Sequence, residues 1–182
     1  AASETGEAYG LIYWVLGVIG GVAINASATN KIYDGEYTPV LGLTQHELEV
    51  AIDDGKFVLH NVGKTIRVLT DINSLVTTTA DKGDLFKSNQ TIRIIDEFGN
   101  SVANIFNTKY LGQIPNDDDG RTSLWGDIVA LCKELERVRA IENFDEETVK
   151  VEAGDTKRAV LVEAVLTIVN AMEQLYMTTV IQ

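Results

Sequence analysis

Between Ser88 and Ile141 the chain has little choice of structure. Ile92, Ile95, Phe98, Val102, Ile105 and Phe106 recur at spacings of three and four, and Leu124, Ile128, Leu131, Leu135 and Val138 do the same further on. That period belongs to amphipathic helices with one buried stripe each. Gly112, Pro115 and Gly120 fall between the two runs and are expected to break the helix there. Strand-like segments flank the pair on both sides. The expected class is therefore α+β: a small mixed β-sheet covered by two long helices, plus an amino-terminal helix. Nothing in the helix pair resembles an active site.

The remaining elements follow from local signals. Residues Gly10 to Ile24 carry no charge, but fifteen residues are too few for an ordinary span of about 20. Glu4 and Glu7 stand where a signal peptide would have basic residues. The stretch reads as a helix from about Glu7 to about Gly20, with Tyr9, Ile12, Tyr13, Leu16 and Ile19 on one face. Trp14 and Val18 widen that face, so it needs cover on most sides. Residues 1–6 read as loose, and Asn25 to Tyr37 as a loop with a short strand. Thr44 with Glu47 forms a capping box for a short helix that stops at Gly55. Phe57–Val62 and Thr65–Leu69 read as a hairpin with Gly63 near its turn. Thr148–Glu152 and Ala159–Val169 read as strands. The organisation expected is a helical segment over 1–20 and one domain over 21–182.

Composition narrows the function classes. A net charge of −12 over 182 residues argues against nucleic acid or an anionic membrane as main partner. The single cysteine, Cys132, gives neither a disulfide framework nor a metal cluster, and on the apolar side of the second helix it reads as a structural thiol. His46 and His60 lack the companions that a metal site needs. Asp117, Asp118 and Asp119 before Gly120 superficially suggest calcium, but they are consecutive where an EF-hand alternates its ligands. Asp119 or Thr122 is more simply the N-cap of the second helix. The glycines from Gly17 to Gly21 match no nucleotide-binding pattern and read as packing glycines. Neither a cofactor nor a catalytic set is expected.

Two features point to contacts with other chains. Lys133, Arg137, Arg139 and Arg121 concentrate positive charge on the second helix of an acidic chain. A solvated face is the plain reading, and a docking face for an acidic partner is the alternative. Tyr176, Met177, Thr178, Thr179, Val180 and Ile181 form an uncharged, β-prone run at the end of the sequence. Left at an open edge, such a strand invites aggregation. It belongs either inside its own sheet or in a neighbour's.

One order of signals runs through the chain. It starts at Gly21 and passes through the segment Asn25-Ala26-Ser27-Ala28-Thr29-Asn30. It continues in Leu43-Thr44, Glu47-Leu48-Glu49 and Ala51 to Gly55, then in Val68 to Leu75 and in Ile92 to Asp96. Tyr110-Leu111-Gly112-Gln113, Pro115-Asn116, Gly120-Arg121 and Asn170 to Thr178 complete it, so nearly the whole chain takes part. Taken in this order, these segments resemble the C-terminal region of the contractile tail sheath proteins of bacteriophages and phage-like particles.

The resemblance implies a non-enzymatic structural subunit. Copies would polymerise as a sleeve around a tail tube protein and contract to drive the tube through a cell envelope. Baseplate and tail-terminator proteins would be further partners, and nucleic acid or membrane insertion would play no part. The location implied is a virion tail or phage-like particle made in the bacterial host cytoplasm. This region would be the inner domain, and terminal arms would add strands to neighbouring sheets. The residues from Tyr176 to Ile181 fit such an arm, and Lys133, Arg137 and Arg139 are candidates for touching the tube. Family members are longer, so the chain reads as a C-terminal fragment. Leu11 to Val18 is more apolar than the family leads one to expect, as if another part covered it. The competing class is a soluble α/β enzyme or ligand-binding domain, which would show a pocket with perturbed titratable groups.

Overall fold

A computed structural model of the protein describes residues 10–39 and 41–181. The expected start of the first helix at Glu7 and Tyr9 lies outside them, as does the loose segment 1–6. The described chain forms two compact units: one runs up to Ile92 and resumes at Asn170, and the other is Arg93–Val169.

In the first unit, α1 spans Gly10–Gly21 and α2 spans Gln45–Asp53. Both arms of the expected capping box are present: Thr44 Oγ1 accepts from the Glu47 amide, and the Glu47 carboxylate accepts from the Thr44 amide at 2.8 Å. The hairpin is also as expected, with β1 Leu59–Val62 antiparallel to β2 Thr65–Val68. Gly63 has φ +61° and Lys64 does not share that sign, the pattern of a two-residue turn with glycine at its first central position. The loop before it contributes one bridge, Ile32 to Arg67. Ser74 to Thr79 is a loop.

One expectation about this unit fails. The apolar helix α1 is not covered on most sides, since Leu11 is buried while Ile12, Tyr13 and Leu16 are exposed. Trp14 is half-buried and satisfied, stacking edge-on with Tyr33 at 4.8 Å and donating from Nε1 to Asp34 Oδ1 at 2.7 Å. The periodicity reported an apolar helix correctly; what covers it is not a property of its own sequence.

The long helix α3, Asn89–Ile105, begins in the first unit and continues into the second. Its stripe from Ile92 to Phe106 is half-buried. The fully buried apolar residue is Ile94, one turn beyond buried Gln90 and Thr91. A π-helical turn, Phe106–Tyr110, extends α3. The next long helix, α4, spans Asp118–Arg137. It packs on β3 (Ile141–Glu142) and β4 (Lys150–Ala153). Leu124, Ile128, Val129, Cys132 and Leu135 are its buried side, so the expected stripe and the placement of Cys132 both hold. β3 pairs antiparallel with β6 (Thr167–Ile168), and β4 with β5 (Val160–Glu163). The class is α+β as expected; its β-structure consists of three antiparallel two-stranded pairs among the described residues.

The turn before α4 corrects two local expectations. The N-cap is Asp117, whose Oδ1 accepts from the Gly120 amide at 2.8 Å; Asp119 and Thr122 lie inside the helix. Gly120 is therefore no breaker. A Cβ there would stand 2.1 Å from the Pro115 carbonyl oxygen, so the position admits only glycine without movement of the turn. Asp118 and Asp119 sit in the first turn, where the helix dipole favours negative charge.

Helix α4 ends in a Schellman motif. The Ala140 amide donates to Leu135 O and the Arg139 amide to Glu136 O, both at 2.9 Å. Arg139 takes the left-handed position with φ +61°, where glycine is the usual residue. Arg139→Gly is expected to raise stability by about 1 kcal/mol in urea unfolding, because it removes the steric cost of a Cβ at that φ. A loss of stability would mean that the arginine side chain compensates for its backbone.

Candidate functional site

The residues after Val169 include the six most exposed large apolar side chains of the described chain. Residues 170–181 have no helix and no strand. Met172 is 101% exposed and Ile181 92%, with Leu175, Tyr176, Met177 and Val180 close behind. The first option for Tyr176–Ile181, a strand inside its own sheet, is thus not taken up by this chain. A β-prone run of that composition with no ladder partner leaves both its backbone groups and its apolar side chains to water.

The start of the segment is held, in contrast to its end. Asn170 Oδ1 accepts from Thr91 Oγ1 at 3.2 Å, and the Ala171 amide donates to Gln90 Oε1 at 3.0 Å. The Glu173 carboxylate accepts from Thr29 Oγ1 at 2.6 Å, Thr70 Oγ1 at 2.8 Å and Ser27 Oγ at 3.1 Å. Beneath these lies Asp71, 1% exposed. Its carboxylate accepts from the Ala28 amide and from Asn89 Nδ2, each at 2.9 Å, and Asn89 also donates to Ile72 O. Periodicity could not find this polar cluster, because it joins residues 27–29, 70–71, 89–91 and 170–173. Residues 27–29, 70–71 and 170–173 lay within segments of the resemblance, and 89–91 lay outside them.

The basic residues of α4 do not act as one free patch. Lys133 Nζ pairs with Glu146 at 2.7 Å, and Arg137 makes a two-pronged pair with Glu134 at 2.6 and 2.7 Å. The Glu134 carboxyl is held below its usual range by the hydrogen bonds and charge of Arg137. Arg121 is tied to Asp118 and to Asn116. Arg139 is exposed and makes no ion pair among the described residues. The Lys133 and Arg137 pairs lie at the surface, where they contribute little to stability and exchange readily with water, whereas the Arg121 side chain is half-buried.

Other titratable groups have structural explanations. Burial pushes the Cys132 thiol up to about 11, which suits an inert core residue. Burial also acts to raise Asp127, but hydrogen bonds from Lys109 and Tyr110 and the Lys109 charge outweigh it and hold the carboxyl low. Tyr110 OH donates to Asp127 Oδ2 at 2.8 Å, tying the π-helical turn to α4. His46 lies exposed on α2, and His60 stands on β1 opposite Arg67. No helix among the described residues is long and apolar enough to cross a membrane.

Known proteins share this architecture. The family model for the phage tail sheath C-terminal domain matches residues 81–182. A sheath tail protein of Desulfitobacterium hafniense superposes with a TM-score of 0.76 at 32% identity, over 85% of this chain and 36% of its own. The sheath tail protein Lin1278 of Listeria innocua does so with a TM-score of 0.80 at 29% identity, over 93% and 40%. The phage-like element PBSX protein XkdK of Bacillus subtilis is 28% identical over 172 residues, 90% of this chain and 37% of that protein. The chain thus spans well under half the length of these three relatives. Helices with small antiparallel pairs in this arrangement match the structures of sheath tail proteins. The chain belongs to the phage tail sheath family, a family of structural tail proteins, and carries its C-terminal domain.

Proposed function

We propose that the chain is the inner domain of a contractile sheath subunit, which polymerises around a tail tube and contracts to drive it through a cell envelope. The observation that carries this reading is the segment Leu175–Ile181, apolar, exposed and without ladder partners. Added as a strand to a neighbouring copy, it would satisfy its backbone and cover its side chains together. The two-stranded pairs of the fold leave edges to receive it, and pairs of that size gain from a third strand. Links of this kind can persist while subunits move as rigid bodies, which is what contraction needs. The further partners are the tube protein, the baseplate and the tail terminator, and the location is the tail of a virion or phage-like particle.

The full-length sheath protein, expressed alone, is expected to form hollow striated tubes in negative-stain electron microscopy. Monodisperse particles across a range of salt concentrations would contradict the reading.

Lys133, Arg137 and Arg139 are proposed to face the tube through weak polar contacts that break during contraction. Two of them already have partners on their own chain, so their pairs must open or share. Reversing all three charges is expected to reduce retention of the tube protein in a pull-down severalfold at low salt. Unchanged retention would remove these residues from the tube-facing surface.

A further inference from the structure

Three segments that stood out in the sequence meet at one carboxylate. Ser27 and Thr29 come from the small-residue segment after α1. Thr70 comes from the stretch after β2, and Glu173 from the last stretch of the resemblance. Thr29 Oγ1 accepts from the Asp71 amide at 2.9 Å and donates to Glu173, so it relays the buried cluster to the exposed acid. Ser27 has a single hydroxyl proton and can donate it either to Glu173 at 3.1 Å or to Thr29 at 2.9 Å. Its own oxygen accepts from the Thr29 amide at 3.1 Å.

The placement along the chain is what gives this cluster meaning. Asn170, Ala171 and Glu173 are each held by a partner distant in sequence. Beyond Glu173 the only side-chain bond among the described residues is local, from Tyr176 OH to Gln174 Oε1. The boundary between held and unheld chain therefore falls at Glu173, immediately before the apolar run. An exposed glutamate on a loose tail has no need of two threonine donors and a third hydroxyl shared with Thr29. Ordering it costs side-chain freedom, which a merely solvated residue would keep.

We propose that Glu173 is an anchor that fixes where residues 175–181 leave the domain, so that they reach a neighbouring copy from a set point. This rests on the reading of those residues as an arm. Without the anchor the same arm would search from a longer tether, and its effective concentration at the receiving edge would fall.

The test uses the full-length sheath protein with Glu173→Ala, Glu173→Gln and Thr70→Val, each checked for an unchanged melting midpoint. Amide hydrogen exchange over residues 171–174 and the fraction of protein in sedimentable tubes are read together. Glu173→Ala is expected to speed exchange by at least about tenfold, since each lost bond to a charged acceptor counts. Tube formation is expected to fall severalfold. Glu173→Gln should stay near the parent, because its carbonyl oxygen still accepts from Ser27 and Thr29 and its amide can donate to the Thr70 hydroxyl. Thr70→Val keeps the shape and removes one donor, so it should fall between, and it decides the matter if the alanine variant melts early.

Unchanged exchange, or faster exchange with undiminished tubes, would overturn the anchor. A parallel deletion of residues 175–181 separates the two ideas. Tubes that survive the deletion overturn the arm itself; tubes lost on deletion but kept in Glu173→Ala overturn only the anchor.

Discussion

Deleting residues 175–181 from the full-length sheath protein is expected to abolish tube formation while shifting the melting midpoint by no more than about 2 °C. The fold is spared because these residues are exposed and lie in no ladder, and surface changes of that kind rarely exceed about 0.5 kcal/mol. Assembly is lost because the same residues are the proposed link. Burying Tyr176, Met177, Val180 and Ile181 in a neighbour would contribute roughly 6–12 kcal/mol. Ordering the six residues from Tyr176 to Ile181 costs about as much, at roughly 1–2 kcal/mol each. The backbone ladder, at about 0.5–1.5 kcal/mol per bond, then decides the sign. One link is marginal and many in a lattice are not, so the loss should be all-or-none when sedimentation is followed against protein concentration. A truncated protein that still forms tubes at the parent's concentration would remove the segment from the assembly contacts.

Asp71→Ala is expected to lower stability by about 3 kcal/mol, or roughly 6–12 °C in melting midpoint for a chain of this size. The side chain is 1% exposed and accepts from the Ala28 amide, which has no exposure of its own. Removing the acceptor leaves that buried N–H unpaired, and it frees Asn89 at the start of α3 from one of its two partners. Asp71→Asn should cost about half as much, since an amide oxygen can still accept from Ala28 but its NH2 meets the Asn89 NH2. The comparison is read by urea unfolding. Equal losses for the two variants would show that charge, and not the geometry of acceptance, is what the site needs.

Elements with a strong local signal were legible in the sequence. The two long helices declared themselves by spacing, the capping box by Thr44 and Glu47, and the hairpin by Gly63 between β-branched runs. What depends on distant partners was not. The buried face of α3 is set by Gln90, Thr91 and Ile94, and two of those three are polar, so an apolar stripe points slightly to one side of it. The N-cap of α4 went to Asp117 because the close approach of Pro115 to Gly120 starts the helix earlier than spacing alone suggests. The C-terminal run has the composition of a strand, but a strand is a property of two edges, and this chain supplies one. The hydroxyl cluster around Glu173 joins residues more than 100 positions apart, and no periodicity can see it.

The claim that ties these results together is that the C-terminal segment completes its structure on another copy. A helical cryo-electron microscopy reconstruction of tubes formed by the full-length protein tests it most directly. The result expected is residues 176–181 of one subunit in a hydrogen-bonded ladder against a strand of its neighbour, with Glu173 still on Ser27, Thr29 and Thr70 of its own chain. Ordered tubes in which that segment folds back on its own domain, or reaches no neighbouring strand, would contradict it.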